Sequence, residues 1–291
     1  MISIIICSKD RQLKQQVEKN IAETIGISYE LIIIDNNIDP KGICAVYNNG
    51  AAQAKYDILC FVHEDVLFQT NNWGQIIANH ITEGADVIGI AGSKYKSKTL
   101  SGWFSVIKNL DCANFIHTAE SGKLHKHISR PYRSLSNDEQ VCCIDGVFMV
   151  SKKSVWQDIR FNEELLKGFH VYDIDFSLRC AQKYKLIVTY LIDLIHLSNG
   201  DYGEAWVKET FIFHEYYKNN LPQAVEGINI KSYAKKEWKI EKFWLKKLRK
   251  SKLSKEYKRL WIKKIKAWQR PIMWKRAIRL ILHREKISKS S

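Results

Sequence analysis

Two short runs of apolar residues near the start of the chain constrain its fold more than any other feature. Residues 2–7 and 31–34 are rich in Ile and show no alternation of apolar and polar positions. Such runs are typical of strands that are buried on both faces of a parallel sheet. Between them, apolar residues recur at helical spacing over 9–26. The pattern predicts a β-α-β unit at the beginning of a doubly wound α/β sheet.

The alternation of strand and helix continues to about residue 92. Helices are predicted over 43–54 and 73–82, and strands over 58–62 and 86–91. Residues 93–140 lack clear periodicity, so we expect a long loop above a site. Further along the chain, strands are predicted over 141–150, 186–190 and 194–197, and helices over 151–158, 173–182 and 205–220.

Positive charge is concentrated at the C-terminal end of the chain. Residues 231–291 hold 23 of the 46 Lys and Arg, 4 of the 31 Asp and Glu, and 5 of the 9 Trp. Their apolar residues line one face of each of three predicted amphipathic helices. We therefore predict two parts, an α/β domain over 1–225 and a basic tail over 226–291. Because Lys and Arg bind anionic headgroups and Trp favours the bilayer boundary, the tail predicts association with a membrane surface.

The seven cysteines and the first residues bear on location. There is no CxxC pair, and five of the cysteines lie in or beside apolar runs, as reduced and buried thiols do. The first residues lack the basic region of a signal peptide, and their apolar stretch is too short for its apolar region. No window reaches the roughly 18 apolar residues of a spanning helix. With the basic tail, these features predict a cytoplasmic protein that is peripheral at the inner face of the membrane.

Polar groups follow the strand predicted over 58–62, namely His63, Glu64 and Asp65. In open α/β sheets, ligands bind beyond the carboxyl ends of the strands, where adjacent acidic residues can hold a divalent cation. Ser8 ends the first strand, and Asp35 and Asn36 follow the second, so their side chains could bind a base and a ribose. Asp35 and Asn36 are also ordinary turn residues, and both interpretations stay open.

Two carboxylates, Asp173 and Asp175, lie at the beginning of a predicted helix. Carboxylates favour a helix N-terminus electrostatically. Asp173 is the predicted N-cap, a role that is compatible with catalysis. Asp175 is equally explained as a residue of the first helical turn.

Together these residues resemble the family 2 glycosyltransferases, which have the GT-A fold, over about residues 1–200. In that family the first strand and an Asp after the second bind the nucleoside, an Asp-x-Asp motif binds a metal, and a Glu-Asp pair supplies the catalytic base. At those places this sequence has Ser8 and Asp35, His63-Glu64-Asp65, and Tyr172-Asp173. Asn48-Asn49-Gly50, residues 89–93 and Asp145-Gly146 are also similar. The resemblance implies a mixed, mainly parallel GT-A sheet, here followed by a basic helical extension.

The sequence departs from the family pattern at two positions. His63 replaces the first Asp of the metal motif, and Tyr172 replaces the Glu of the Glu-Asp pair. The residues around both positions resemble those of a bacterial branch of the family that has His-x-Asp in place of Asp-x-Asp. We therefore expect Asp65, aided by Glu64, to be the main ligand for Mg²⁺ or Mn²⁺. His196 stands where similar enzymes often have a His near the metal or the diphosphate.

The implied activity is transfer of a sugar, with inversion, from a nucleoside diphosphate sugar to a glycan or a lipid-linked acceptor in bacterial surface polysaccharide synthesis. Asp173 would be the catalytic base, and Asp65 and His196 the metal ligands. The expected donor-binding residues are Ser8, Asp35, Asn36, Asn49, His63, Glu64 and Asp65. The expected acceptor-binding residues are Trp103, Asp145, Gly146 and Tyr172.

Two other functions remain as alternatives. The basic, aromatic tail could bind nucleic acid, although no recognised nucleic-acid motif accompanies the charge. A nucleotidyltransferase that forms sugar nucleotides could share the α/β architecture. That class usually carries a glycine-rich phosphate loop after the first strand, and residues 8–11 contain no Gly.

Overall fold

The computed structural model describes residues 1–118, 123–198, 200 and 202–282. The strands are β1 (Ile2–Ser8), β2 (Tyr29–Asp35), β3 (Ile58–His63), β4 (Val66–Phe68), β5 (Val87–Gly89), β6 (Ala91–Ser93), β7 (Tyr95–Lys96), β8 (Asp111–Thr118), β9 (Leu124–Ser129), β10 (Asp138–Gln140), β11 (Cys143–Ile144), β12 (Phe148–Lys152), β13 (Leu186–Thr189), β14 (Leu194–His196) and β15 (Gln223–Ala224). The helices are α1 (Arg11–Thr24), α2 (Ile43–Gln53), α3 (Trp73–Thr82), α4 (Lys153–Asp158), α5 (Tyr172–Cys180), α6 (Glu204–Tyr216), α7 (Ile230–Ala234), α8 (Glu237–Arg249), α9 (Lys255–Lys264) and α10 (Pro271–Leu282).

The central sheet has seven strands in the order β10-β13-β5-β12-β3-β1-β2. The pairings β1/β2, β1/β3 and β5/β13 are parallel, whereas β12 and β10 run antiparallel to their neighbours. Five of the seven strands therefore point in one direction. This confirms the predicted α/β fold with a mixed, mainly parallel sheet.

Alternate residues of the central strands face two separate hydrophobic clusters. Ile5 and Phe61 pack on one face of the sheet in a cluster that includes Phe176 of α5. Ile4 and Val62 pack on the other face with side chains of α1 and α3. Burial of one such side chain contributes about 1.5–3 kcal/mol, so both faces of these strands stabilise the fold. This two-sided burial is the reason that the runs show no alternation.

The prediction of a long loop over 93–140 was wrong. This region supplies β7 to β10, and β8 pairs with β6, β9 and β14 in a second sheet. The residues of β9 are mostly exposed, so the backbone ladder rather than an apolar face holds this strand in place. An exposed, ladder-held strand carries no hydrophobic periodicity that a sequence could reveal.

The C-terminal segment packs against the part of the chain that precedes it. Three amphipathic helices were predicted there and are found as α8, α9 and α10, together with the short α7. Trp244 of α8 stacks on Trp206 of α6 and on Phe104, with ring centroids 4.7 and 5.2 Å apart. Buried Glu237 accepts hydrogen bonds from the Tyr95 hydroxyl at 2.6 Å and from the Thr99 amide at 3.2 Å. The apolar stripe of α8 is therefore used for internal packing.

Among the described residues, no helix is both long enough and apolar enough to cross a bilayer.

Candidate active site

The tips of three parallel strands lie side by side at one edge of the central sheet. Ser8 of β1 is in register with Asp35 of β2, and Cys7 is in register with His63 of β3. Val147, just before β12, accepts a hydrogen bond from the His63 amide at 3.2 Å. The polar residues that follow separate strands in the sequence therefore meet at one edge.

Glu64 points away from Asp65, toward the loop between β1 and α1. Its carboxylate accepts hydrogen bonds from the Ser8 hydroxyl at 2.7 Å and from the amides of Lys9 and Asp10 at 3.1 and 3.2 Å. The expectation that Glu64 aids Asp65 in binding a metal is therefore wrong. Adjacent residues of a tight turn point in different directions, and the free amides before α1 attract the nearer carboxylate.

The other predicted donor-binding residues differ in how exposed their side chains are and in the hydrogen bonds that they already make. Exposed Asp35 accepts a hydrogen bond from the Asn37 amide at 3.0 Å, beside Ser8. Asn36 is buried and bonds both the amide and the carbonyl of Lys41 at 2.9 Å, so it holds the following loop. Asn49 lies on the exposed face of α2, where its side-chain oxygen accepts a hydrogen bond from the Gln53 amide group at 3.0 Å. Of these three residues, Asp35 is the one whose exposed side chain lies beside Ser8.

Three potential metal ligands come together where β3, β4 and β14 meet. One ligand atom each from His63, Asp65 and His196 lies within 4.8 Å of the others. His63 Nδ1 is 3.8 Å and His196 Nε2 is 3.4 Å from the carboxylate oxygens of Asp65. His196 is brought here because it pairs with Val66, the residue after Asp65. We refer to these residues as the His-Asp-His cluster.

The hydrogen bonds of His63 leave one ring nitrogen available to a cation. His63 Nε2 is 2.9 Å from the Tyr172 hydroxyl, which donates to the Gly146 carbonyl at 3.2 Å. Because the hydroxyl has one proton, we infer that Nε2 carries hydrogen and donates to the Tyr172 oxygen. The lone pair then lies on Nδ1, the nitrogen that faces Asp65. This tautomer is the one that metal binding requires.

The charges of the His-Asp-His cluster favour an ionised carboxylate. Burial alone would raise the pKa of Asp65, but the hydrogen bond and charge of His196 outweigh it and hold this pKa well below its usual range. The pKa of His63 is lowered by burial and by the nearby His196. The pKa of His196 is raised, because Asp65 outweighs the effect of burial. These shifts favour the metal-binding forms of Asp65 and His63, a carboxylate and a neutral imidazole, whereas the raised pKa of His196 means that a metal must compete with a proton there.

Asp173 lies beside the cluster at the beginning of α5. The helix begins at Tyr172 with Val171 as its N-cap, so the prediction that Asp173 is the N-cap was wrong. Its Oδ2 instead accepts the Gly146 amide at 2.9 Å. Burial, together with the charge of Asp145, raises the pKa of Asp173 to about 7. A carboxyl with a pKa near neutrality is suited to general base catalysis.

Gly146 is required by the close packing of this corner. A Cβ atom there would lie 2.2 Å from the Tyr172 hydroxyl and 3.0 Å from Cβ of Asp173. Asp145, its neighbour, accepts the Val147 amide at 2.9 Å through one oxygen. The predicted Asp145-Gly146 pair therefore holds Tyr172 and Asp173 in place.

Glu209 of α6 is a site residue that the sequence analysis missed. It is buried and accepts the amides of Gly168 at 2.6 Å and His170 at 2.8 Å. The next residue, Val171, has φ 54°, a left-handed conformation that is strained for a β-branched side chain. Glu209 therefore holds the strained loop that positions Asp173. No sequence signal links a helix residue to a loop about 40 positions earlier.

Two adjoining cavities meet at these residues. One of about 230 Å³ is lined by His63, Tyr172 and Asp173, among others. The second, of about 720 Å³, extends along the second sheet. Trp103, Asp145 and His196 line both. The predicted acceptor-binding residues, the candidate base and the two histidines of the His-Asp-His cluster thus border one cleft formed by these two cavities.

A sequence profile described as "Glycosyltransferase like family" matches residues 3–225. The chain belongs to this glycosyltransferase-like family. A search of curated protein sequences found no match.

Two solved structures are similar to this glycosyltransferase at low identity. GalNAc-T7 with UDP, GalNAc and Mn²⁺ matches 71% of this chain and 44% of its own, at 9% identity and a TM-score of 0.47. A197 from STIV matches 68% of this chain and 86% of its own, at 13% identity and a TM-score of 0.38.

The C-terminal segment of this glycosyltransferase contributes to the larger cavity. Phe243 and Lys247, one turn apart on α8, line it together with Tyr202. The Lys247 ammonium is 4.6 Å from the centroid of the Tyr202 ring. Burial and the nearby Lys250 lower the pKa of Lys247. Nothing in the sequence of the basic tail indicated that one of its lysines would border the active-site cleft.

Proposed function

We propose that this glycosyltransferase transfers a sugar, with inversion, from a nucleoside diphosphate sugar to a hydroxyl of a glycan or lipid-linked acceptor. The proposal rests on one observation, that Asp173 lines the same cavity as His63 and His196, the two histidines of the His-Asp-His cluster. Asp173 would accept the proton of the acceptor hydroxyl as this oxygen attacks the anomeric carbon. The bond between that carbon and the diphosphate oxygen breaks, and the nucleoside diphosphate leaves.

The ligand set fits a divalent transition metal better than Mg²⁺. Imidazole suits transition ions, whereas Mg²⁺ prefers oxygen ligands. Two imidazoles and one carboxylate therefore suit a transition ion such as Mn²⁺ better than Mg²⁺, and His63 Nδ1, Asp65 and His196 Nε2 would hold it. When bound, the ion supplies positive charge beside the leaving diphosphate.

The protein's own side chains account for the remaining tasks. Ser8 and Asp35, at the carboxyl ends of β1 and β2, would bind the nucleoside. Trp103 and Tyr202 offer aromatic faces in the larger cavity for sugar rings. Asp145 would bind a sugar hydroxyl and, through its charge, keeps the pKa of Asp173 high.

We further propose that the enzyme acts at the cytoplasmic face of a membrane in surface polysaccharide synthesis. Exposed Trp238, Trp268 and Trp274 on a basic segment support this location. A lipid-linked acceptor would be available there.

The test of the metal and donor sites is a thermal-shift screen of nucleoside diphosphate sugars with and without Mn²⁺. We expect one nucleotide to raise the melting temperature only with Mn²⁺, and Asp65→Ala to abolish this response. Asp158→Ala, which removes an exposed carboxylate of α4, should leave it intact. A nucleotide response that survives Asp65→Ala would refute the metal assignment.

The test of the base is Asp173→Asn. Transfer should fall by about 10²–10⁴-fold, while Mn²⁺-dependent donor binding is retained. Transfer at the wild-type rate would exclude Asp173 as the base.

A further inference from the structure

A groove between α8 and α10 carries five positively charged side chains. Lys242, Lys246 and Arg249 come from α8, and Arg276 and Arg279 from α10, with Leu245 as the apolar lining residue. We call it the α8–α10 groove, and its volume is about 370 Å³. Within the described part of the chain, no Asp or Glu lines it. Its chemistry is therefore that of an anion site.

The charges of the α8–α10 groove are not neutralised from within the described ranges. None of the five cations belongs to an ion pair there, whereas neighbouring Arg270 pairs with Glu241 at 2.5 Å. The Arg249 Nε atom is buried and has no hydrogen-bond partner among the described residues. A buried donor without a partner is costly, so an external acceptor would stabilise it. Guanidinium groups suit phosphate oxygens in particular.

Exposed apolar side chains flank the cations on both helices. Trp238 lies one turn before Lys242 on α8, is 47% exposed, and has its ring centroid 5.9 Å from the Lys242 ammonium. Ile272 lies one turn before Arg276 on α10 and is 74% exposed. Residues four apart share a helix face, so each helix presents an apolar group beside its basic groups. Free phosphate offers nothing to such apolar groups, whereas a bilayer surface does.

We propose that the α8–α10 groove binds the phosphate of an anionic lipid headgroup, with Trp238 and Ile272 entering the interface beside it. Lys246 and Arg279, one from each helix, contact the phosphate from the open side. This site is separate from the active-site cleft and does not depend on the proposed glycosyl transfer. A nucleic acid would meet the same charges, but it would leave the flanking aliphatic side chain exposed to water.

The experiment measures binding of the full chain to vesicles of phosphatidylcholine, with and without phosphatidylglycerol, by co-sedimentation. The test variant is Lys246→Gln with Arg279→Gln, which removes two exposed groove cations. The control is Arg259→Gln with Lys263→Gln, which removes two exposed cations of α9 outside the groove. Both variants change the net charge equally. A competition arm adds inorganic phosphate at matched ionic strength.

We expect the wild type and the control to bind the anionic vesicles alike, and the groove variant to bind roughly 25-fold more weakly, at about fivefold per cation. Equal losses in both variants would mean diffuse charge attraction and would overturn the site. Absence of vesicle binding together with binding of inorganic phosphate would overturn the lipid as its ligand. Tighter binding to a single-stranded RNA than to vesicles would do the same. Because no arm uses a sugar donor, failure here is distinguishable from failure of the proposed glycosyl transfer, although the lipid site rests on the proposed membrane location.

Discussion

His63 Nε2 and the Tyr172 hydroxyl lie 2.9 Å apart, joining the end of β3 to the beginning of α5. These residues are the two departures from the family 2 pattern that the sequence analysis identified. Each therefore provides the hydrogen-bond partner of the other. The contact links the His-Asp-His cluster to the residue before the candidate base, and it selects the His63 tautomer that can bind a metal.

This contact predicts that Tyr172→Phe weakens Mn²⁺ binding. Loss of the hydroxyl frees His63 to rotate and to change tautomer, which should raise the dissociation constant by about 10–100-fold. Electron paramagnetic resonance titration of Mn²⁺ measures it directly. Tyr190→Phe is the matched control, because it removes a hydroxyl that donates to the Ser129 carbonyl instead. Equal Mn²⁺ affinity in wild type and Tyr172→Phe would contradict the role assigned to the contact.

The raised pKa of Asp173 predicts the pH dependence of transfer. Its carboxyl is protonated below about pH 7 and cannot accept a proton there. The value of kcat/KM should therefore rise about tenfold per pH unit up to pH 7 and then level off. Asp145→Asn removes the neighbouring charge, so the acidic limb should move to lower pH even if the rate itself falls. A limb that stays in place would show that another group controls it.

Glu209 is predicted to be a positioning residue. In Glu209→Gln, one amide of the Gly168–His170 pair would face an NH₂ group instead of an oxygen, and the strained loop at Val171 should relax. A displacement of about 1 Å at Asp173 would lower kcat by roughly 10²-fold. The KM for the donor and the affinity for Mn²⁺ should change little. Glu215→Gln, an exposed change on the same helix, is the control. A loss of stability without a fall in kcat would mean a purely structural role.

Trp244 is predicted to make the C-terminal segment inseparable from the catalytic domain. Trp244→Ala removes the stack on Trp206 and should lower the free energy of unfolding by about 3–5 kcal/mol. Trp238→Ala, which truncates an exposed ring, should cost less than about 0.5 kcal/mol. Denaturation in urea, followed by circular dichroism, should give a single transition for the wild type. A separate early transition would show that the segment unfolds on its own.

The parts of the fold that the sequence predicted are those with a strong local signal. β1 and β3 are apolar on both faces, and strand tips in a parallel sheet must meet at one edge, so Ser8, Asp35 and His63 could be placed near each other. Asp173 begins a helix, and its place in the site was implied by the family resemblance. β9 could not be predicted, because its position depends on pairing with β8 rather than on its own side chains. The sequence also does not show the geometry of a turn. For this reason the sequence analysis expected Glu64 to aid Asp65, whereas its carboxylate bonds the loop before α1.

The sequence analysis also missed residues whose contacts lie far away along the chain. Glu209 reaches a loop that lies earlier in the chain, and Lys247 reaches the cleft from a helix that sequence alone gave to a separate domain. Such contacts depend on how complete elements pack. The sequence provides the chemistry of these side chains but not their neighbours.

Helix α8 presents Phe243 and Lys247 to the cleft on one flank of its buried stripe, and Lys242 and Lys246 to the groove on the other. The width of one helix, about 10 Å, then separates a docked headgroup from the cleft. A rigid spacer of this size would set the height above the bilayer at which a hydroxyl can react. The enzyme would then select acceptors by the length of the segment that joins the lipid to the reacting hydroxyl, as well as by the chemistry of their sugars.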